Sequence, residues 1–214
     1  MDQTTENRFP RVILASGSPR RLDLLRQAGI EPEVEPSHVE EVITSTVPDQ
    51  VVMELSRQKA EDIAALHTGE DVIVIGADTV VAYDGKILGK PQDKEDAVRM
   101  IRMLQGHIHQ VYTGVTLVFC GKTFGEQAVA VDNGSHIINF AEKTDVHVCP
   151  MTEAQIRSYV ETGEPMDKAG AYGIQGRFAV WVKGISGDYN NVVGLPLGRV
   201  CRELIGISEN SRAE

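Results

Sequence analysis

The chain has 214 residues, 42% of them hydrophobic and 24% charged, enough to bury one substantial core and too apolar for a disordered chain. Its formal net charge of −10 argues against sequence-independent binding to DNA or RNA, which needs a basic face that releases counterions. A polyanion would have to be met in a local basic pocket.

Strand-like and helix-like segments alternate, predicting an α/β architecture, and no Pro-, Gly- or Ser-rich linker divides the chain. Residues 11–206 are expected to form a single domain between a loose leader over 1–10 and a tail over 207–214. The leader lacks the apolar centre of a secretory signal, and no apolar run is long enough to cross a bilayer. The cysteines, Cys120, Cys149 and Cys201, lie far apart. They suggest neither a zinc site nor a disulfide framework and fit a cytoplasmic setting.

Arg11 to Ala15 reads as a strand that feeds Ser16-Gly17-Ser18-Pro19. Leu22, Leu24, Leu25 and Ala28 then recur at helical spacing until Gly29. Ser18 as N-cap with Pro19 at the first helical position marks the helix start. Ser16, Ser18, Arg20 and Arg21 at that terminus have the makings of an anion site, because unpaired N–H groups and the positive end of the macrodipole favour a bound anion. Arginine there is locally unfavourable, a cost that a bound anion offsets; the plain alternative is a capped helix with solvated arginines.

The next helix is expected over about 49–66, where Val52, Leu55, Ile63 and Leu66 form an apolar stripe and Lys59 falls inside it. Lys59 either snorkels to the surface or points into a negatively charged cleft. A strand over 72–82 follows, interrupted by Asp78, a carboxylate where a buried pattern should hold hydrocarbon. Burying an ionised group costs several kcal/mol unless it is paired or solvated, and Gly76 and Ala77 leave room for a ligand. The plain alternative is a strand end or turn whose acid bonds nearby amides. Asp84-Gly85 has hairpin turn chemistry, so the sheet must be mixed. Gly89-Lys90-Pro91 then fixes Lys90 in extended backbone.

A helix over 94–104 precedes strands over 110–119, 128–131, 136–140 and 144–148, with Asn133-Gly134 as a second hairpin turn. A helix over 152–161 leads to a segment from Met166 to Gly176 with glycine at every third position from Gly170, which predicts a closely approached loop carrying Lys168 and Gln175. A strand over 178–185 and a helix over 197–204 complete the chain. Gly121-Lys122-Thr123 lacks the earlier glycine and the strand-to-helix context of a phosphate loop, Asn133-Gly134-Ser135 matches a sequon by chance, and His107-Ile108-His109 has no third ligand at metal spacing.

Leu14 to Arg21, Ile75 to Val81, Gly89-Lys90-Pro91, Asp167 to Gly176 and Val193-Gly194-Leu195-Pro196 occur in the order of the Maf nucleotide pyrophosphatases. The chain resembles that family from about Val12 to Leu204, least between Cys120 and Phe140. The resemblance implies an elongated mixed α/β sheet with flanking helices, two lobes around a central cleft, and hydrolysis of a nucleoside triphosphate to the monophosphate and pyrophosphate. Arg20, Thr79 and Gln175 are similar to the subclass acting on dTTP and UTP; the 7-methyl-GTP subclass carries tryptophan, glutamine and glutamate there. A Gln amide offers a donor and an acceptor that can pair with the edge of uracil or thymine.

The resemblance also implies that Asp78 takes the proton of the attacking water and that Glu41 helps it hold a divalent ion, Mg²⁺ or Mn²⁺, with Glu40 as the alternative to Glu41 and the division of labour on Asp78 left open. Ser16, Ser18, Arg20, Arg21, Lys59, Lys90 and Lys168 would form the phosphate pocket. Modified pyrimidine nucleotides such as 5-methyl-UTP or pseudo-UTP are further expected substrates, a homodimer is admitted, and nucleic-acid and membrane partners are not expected. The alternative from another class is a non-catalytic regulator of cell division, an inhibitor of septum formation.

Overall fold

A computed structural model describes residues 11–121 and 136–210, with side chains through residue 206. The leader, the strand expected over 128–131 and the Asn133-Gly134 turn lie outside the described residues. Chain order is β1 (Arg11–Leu14), α1 (Pro19–Gln27), β2 (Glu33–Val34), α2 (Pro48–Ala64), β3 (Val72–Tyr83), β4 (Lys86–Leu88), α3 (Lys94–Leu104), β5 (Ile108–Cys120), β6 (His136–Val148), α4 (Glu153–Val160), β7 (Val182–Ser186), α5 (Tyr189–Val193) and α6 (Leu197–Asn210). The strands form one sheet in the order β2-β1-β3-β5-β6-β7, with β4 on β3. β1 runs parallel to β2 and β3, and the remaining pairs are antiparallel, so the sheet is mixed.

The two faces of β3 sort its residues by the two-residue period of a strand. Val72 and Val74 join Ile13, Ala15, Val118 and Cys120 in a cluster capped by Ala60 and Ile63 of α2. Ile73, Ile75, Ala77 and Val81 belong to the larger core on the other face, which also takes in Leu24 and Leu25 of α1, Ile101 and Leu104 of α3, and Ile156 of α4. Gly76 and Gly114 let α2 lie directly on the sheet. A Cβ on Gly76 would sit 2.3 Å from the Ser56 carbonyl oxygen, and one on Gly114 2.1 Å from that of Val52. Ser56 and Thr116 share a buried hydroxyl bond of 3.0 Å beneath the helix.

Several expectations change against this frame. The strand β3 passes through Asp78 without a break, pairing it with Gly114, so the acid is neither at a strand end nor in a turn. The segments expected over 136–140 and 144–148 are one strand, because polar Glu142 and Lys143 lie where only β5 is paired and the other edge is met by Arg199 of α6, which donates to the Ala141 carbonyl at 3.2 Å. The strand expected over 178–185 starts only at Val182, since Arg177–Trp181 winds as a 3₁₀ turn that buries Phe178. Helix α2 stops at Ala64, so Leu66 leaves the apolar stripe and is 66% exposed. The last helix runs on to Asn210, into residues expected to be tail. Asp84 and Gly85 form the expected hairpin turn, both with positive φ (50° and 69°).

Candidate functional site

The cleft arises where neighbouring strands differ in length. β1 pairs with β3 only as far as Ile75, and the Ala15 N–H makes one more bond to the Ile75 carbonyl at 2.9 Å. β4 does not pair with β3 until Val81. Between those limits the β1-side edge of β3 is open, and residues 16–18 peel away over it. Asp78 faces α2, whereas Thr79 faces the opposite side of the sheet, where it meets Thr113. Because the strand edge is open, one cleft of about 890 Å³ receives both side chains.

All but one of the site residues singled out in the sequence line this cleft: Ser16, Ser18, Arg20, Arg21, Glu41, Lys59, Asp78, Thr79, Lys90, Lys168 and Gln175. Of the adjacent acids, Glu41 is in the lining and Glu40 is not. They converge from separate stretches of chain, so no local pattern could have assembled them.

Two charge clusters organise the interior. In the first, the Lys59 ammonium lies 2.5 Å from Asp78 Oδ1 and 2.8 Å from Glu41 Oε1. Lys59 therefore does not snorkel away; one turn beyond Leu55 on α2 it enters the cleft, and both Lys59 and Asp78 side chains are only 17% exposed. The second cluster inverts the signs. Asp167 stands between two cations, accepting from Arg20 Nη1 at 2.9 Å and from Lys168 Nζ at 2.6 Å. Partial burial raises the Asp167 pKa, but the hydrogen bonds from Lys168 and Arg20 outweigh it and bring it down to about 2. A carboxylate thus occupies the position between Arg20 and Lys168 that a phosphate oxygen would suit.

Arg21 has a different situation from Arg20. Its Nε donates to the Gly194 carbonyl at 2.8 Å, Nη1 to Ser16 Oγ at 2.9 Å and Nη2 to Thr79 Oγ1 at 3.1 Å. Burial lowers its pKa, partly opposed by the field of Asp78. The guanidinium ties the β1–α1 loop to β3 and to the start of the Gly194 segment, leaving less of its fork for an anion than the sequence suggests. Thr79 passes the chain on. Since Thr113 Oγ1 donates to the Asn191 carbonyl at 3.0 Å, its 2.9 Å contact with Thr79 must use the Thr79 proton. Thr79 then presents only a lone pair to the cleft. Sequence reasoning missed Thr113 and Asn191, which carry no motif of their own.

The helix terminus matches its sequence signal in backbone but not in side chain. Ser18 is the N-cap of α1 and Pro19 is at its start, yet the Ser18 hydroxyl makes no capping bond and no acid stands in the first turn. Ser18, Pro19, Arg20 and Arg21 of this terminus line the cleft, and the Ser18 N–H already donates to Ser16 Oγ at 3.3 Å. Lys90 is exposed at the rim and has no ion-pair partner among the described residues. Tyr172, also in the lining, is anchored from behind, its hydroxyl 2.7 Å from Nε2 of fully buried His109. Burial pulls the His109 pKa down to about 4, so the imidazole is neutral at ordinary pH.

No group of three or more His, Cys, Asp or Glu side chains suited to a metal ion occurs among the described residues. The two acids that share Lys59 remain a chemically reasonable partial set. A magnesium site commonly takes one or two carboxylates and completes itself with water and substrate phosphates. Glu41 and Asp78 already converge on a common cation, the ammonium of Lys59.

Known proteins align with the chain along most of its length. A 55% identical relative over 204 residues, covering 90% of this chain and 95% of its own, is the dTTP/UTP pyrophosphatase of Agathobacter rectalis. The dTTP/UTP pyrophosphatase of Koribacter versatilis is 50% identical over 192 residues, covering 89% and 91%. Among solved structures, a nucleoside-triphosphatase (dITP/XTP pyrophosphatase) from Mycobacterium abscessus aligns over 94% of this chain and 97% of its own at 11% identity and a TM-score of 0.42, too distant to bear on the assignment. The family model for Maf-like proteins matches residues 11–207, and the chain belongs to the Maf family.

Proposed function

We propose that this protein hydrolyses the α–β phosphoanhydride bond of dTTP and UTP, giving the nucleoside monophosphate and pyrophosphate. The observation that carries this reading is Asp78, an acid in the middle of a buried strand, set beside Lys59 in a cleft that also gathers Arg20, Lys90 and Lys168. Such an arrangement suits a tetra-anionic triphosphate and a water to be deprotonated. Relatives at 50–55% identity that carry the name dTTP/UTP pyrophosphatase support the same substrate class.

Each residue has a task that its position allows. Asp78 orients the attacking water and accepts its proton through the oxygen not bonded to Lys59. Ser16, Ser18 and the N-terminus of α1 receive phosphate oxygens, and Arg20 and Lys168 bind them by exchanging Asp167 for the substrate. Lys90 and Lys59 add charge neutralisation as pyrophosphate leaves. Glu41 and Asp78 are the residues that would hold Mg²⁺ or Mn²⁺. When bound, that ion would neutralise phosphate charge and polarise the bond to be cleaved. For the base, the Gln175 amide pairs with O4 and the N3 proton of the pyrimidine, a pattern that 5-methyl-UTP retains.

The test is pyrophosphate release from purified protein with Mg²⁺ and dTTP, UTP or 7-methyl-GTP. A kcat/KM for UTP at least about tenfold above that for 7-methyl-GTP is expected, the discrimination that a few polar contacts supply. Preference for 7-methyl-GTP would overturn the substrate class. EDTA should abolish turnover and Mg²⁺ restore it; undiminished turnover in EDTA would remove the metal role of Glu41 and Asp78.

A further inference from the structure

The loop that carries Gln175 is built around a side chain that does not line the cleft. Glu164, just beyond α4, sends its carboxylate back into the glycine-spaced segment. Its Oε1 accepts the Tyr159 hydroxyl at 3.0 Å, and its Oε2 accepts the Arg177 backbone N–H at 2.8 Å. A Cβ on Gly176 would fall 2.3 Å from Oε1 and 2.5 Å from Oε2, and one on Gly173 would fall 2.7 Å from Lys168 Cε. The carboxylate thus fills the space a side chain at Gly176 would need, which explains glycine there in a backbone of negative φ (−98°).

The same residue reaches the phosphate end of the cleft. Its main-chain carbonyl accepts Lys168 Nζ at 2.7 Å, while that ammonium also meets Asp167. Tyr159 and Tyr172 both pack on Phe178, with ring centroids 5.1 and 4.7 Å away. Behind Gln175 the loop therefore rests on three aromatic rings at the border of the larger core, and Glu164 is its polar clamp. Gln175 is exposed and has Ile174 buried before it and the clamped Gly176–Arg177 peptide after it. An exposed glutamine reads a base only if its backbone is held, since its free rotamers would otherwise offer donor and acceptor in any direction.

We propose that Glu164 is a positioning residue for base selection, fixing the Gly176–Arg177 backbone so that Gln175 meets the pyrimidine edge. The inference rests on the reading of Gln175 as the base-reading residue. It predicts that the clamp acts through two acceptor oxygens, one for each donor. Glu164→Gln keeps the shape but removes the charge and turns one acceptor into an NH₂ donor, which weakens the clamp: set toward Arg177 the NH₂ opposes its N–H, and set toward Tyr159 it must share a hydroxyl oxygen that the Gly173 N–H already uses.

The experiment measures R, the ratio of kcat/KM for UTP to that for 7-methyl-GTP, in wild type, Glu164→Gln, Gln175→Ala and the double variant. Glu164→Gln is expected to lower R about fivefold or more, on the scale of one lost hydrogen bond, by raising KM for UTP with its kcat within about twofold of wild type. In the Gln175→Ala background the same change should leave R unmoved. Equal loss of kcat on both nucleotides would show a merely structural role and overturn the proposal. If Gln175→Ala lowers R and Glu164→Gln does not, only the positioning role falls. If Gln175→Ala leaves R unchanged, base reading by Gln175 falls and the positioning role with it.

Discussion

Asp78 and Lys59 form the pair on which the chemistry turns, and the pair can be taken apart one residue at a time. Asp78→Asn keeps the shape of the side chain while removing its charge and basicity. The expected result is a folded protein, with a calorimetric transition near that of wild type, whose kcat is lower by at least ~10²-fold, the scale of general-base removal. More than half the wild-type kcat in the folded variant would mean that another group takes the proton. Lys59→Met removes the cation shared by Glu41 and Asp78 and leaves two carboxylates facing one another. Here kcat/KM should fall at least about tenfold, whereas an ammonium that only covered the helix could be replaced by methionine without loss. Asp78 was legible as an anomaly because charge inside an apolar run has to be accounted for. The Lys59 partner was legible only as a choice between two fates, since a helical wheel gives a direction and not what lies there.

At the level of elements, the strongest signals were those written into contiguous residues. Helix α3 begins at the residue expected because Asp93 caps it, accepting the Asp96 N–H at 2.8 Å. Helix α4 starts at a reciprocal capping box between Thr152 and Gln155. The failures came where tertiary context decided. The single strand β6 tolerates a polar middle because no strand pairs with its outer edge there and Arg199 of α6 meets Ala141 and Glu142 instead, and Phe178 enters the core from a 3₁₀ turn that no alternation pattern records. The close seating of α2 was also invisible, although Gly76 and Gly114 were in plain view, because a strand glycine does not say what approaches it. That seating makes a prediction. In Gly76→Ala the new methyl would stand 2.3 Å from the Ser56 carbonyl and 2.8 Å from Ala60, backbone and core that can move only by lifting α2. Overpacking of this kind costs ~1–3 kcal/mol, and each ~1 kcal/mol lowers Tm by about 2–4 °C in a chain of this size. Since α2 also carries Lys59, activity should fall beyond what instability explains. A variant with unchanged Tm would show that the helix does not rest on the sheet at Gly76.

For the molecule as a whole, Arg20, Arg21, Lys59, Lys90 and Lys168 bring positive charge into the cleft of an acidic chain, and several of its acids gather at a corner outside the cleft lining. There Arg11 of β1 bonds Glu33 through Nε at 2.7 Å and also pairs with Glu70, while His67 places Nε2 2.8 Å from Glu35 and Nδ1 3.3 Å from Glu70. The corner joins the end of α2 to the beginnings of β1 and β3. The hydrogen bond to Glu35 is the largest influence on His67 and raises its pKa, against the opposing effect of burial. A histidine whose pKa is higher folded than unfolded binds its proton more tightly in the native state. Its contribution is then fully present below the unfolded value of about 6.5 and is lost as pH rises through the folded value. The partners are half exposed, so solvent screening limits the contribution to ~1 kcal/mol at most. From pH 6 to pH 9 the part of Tm owed to this corner should therefore fall by about 2–4 °C. His67→Gln, which can hydrogen-bond but not protonate, should remove that part of the slope and leave kcat for UTP at pH 7 unchanged. A slope identical in wild type and His67→Gln would show that His67 is not held as the cation by its two glutamates.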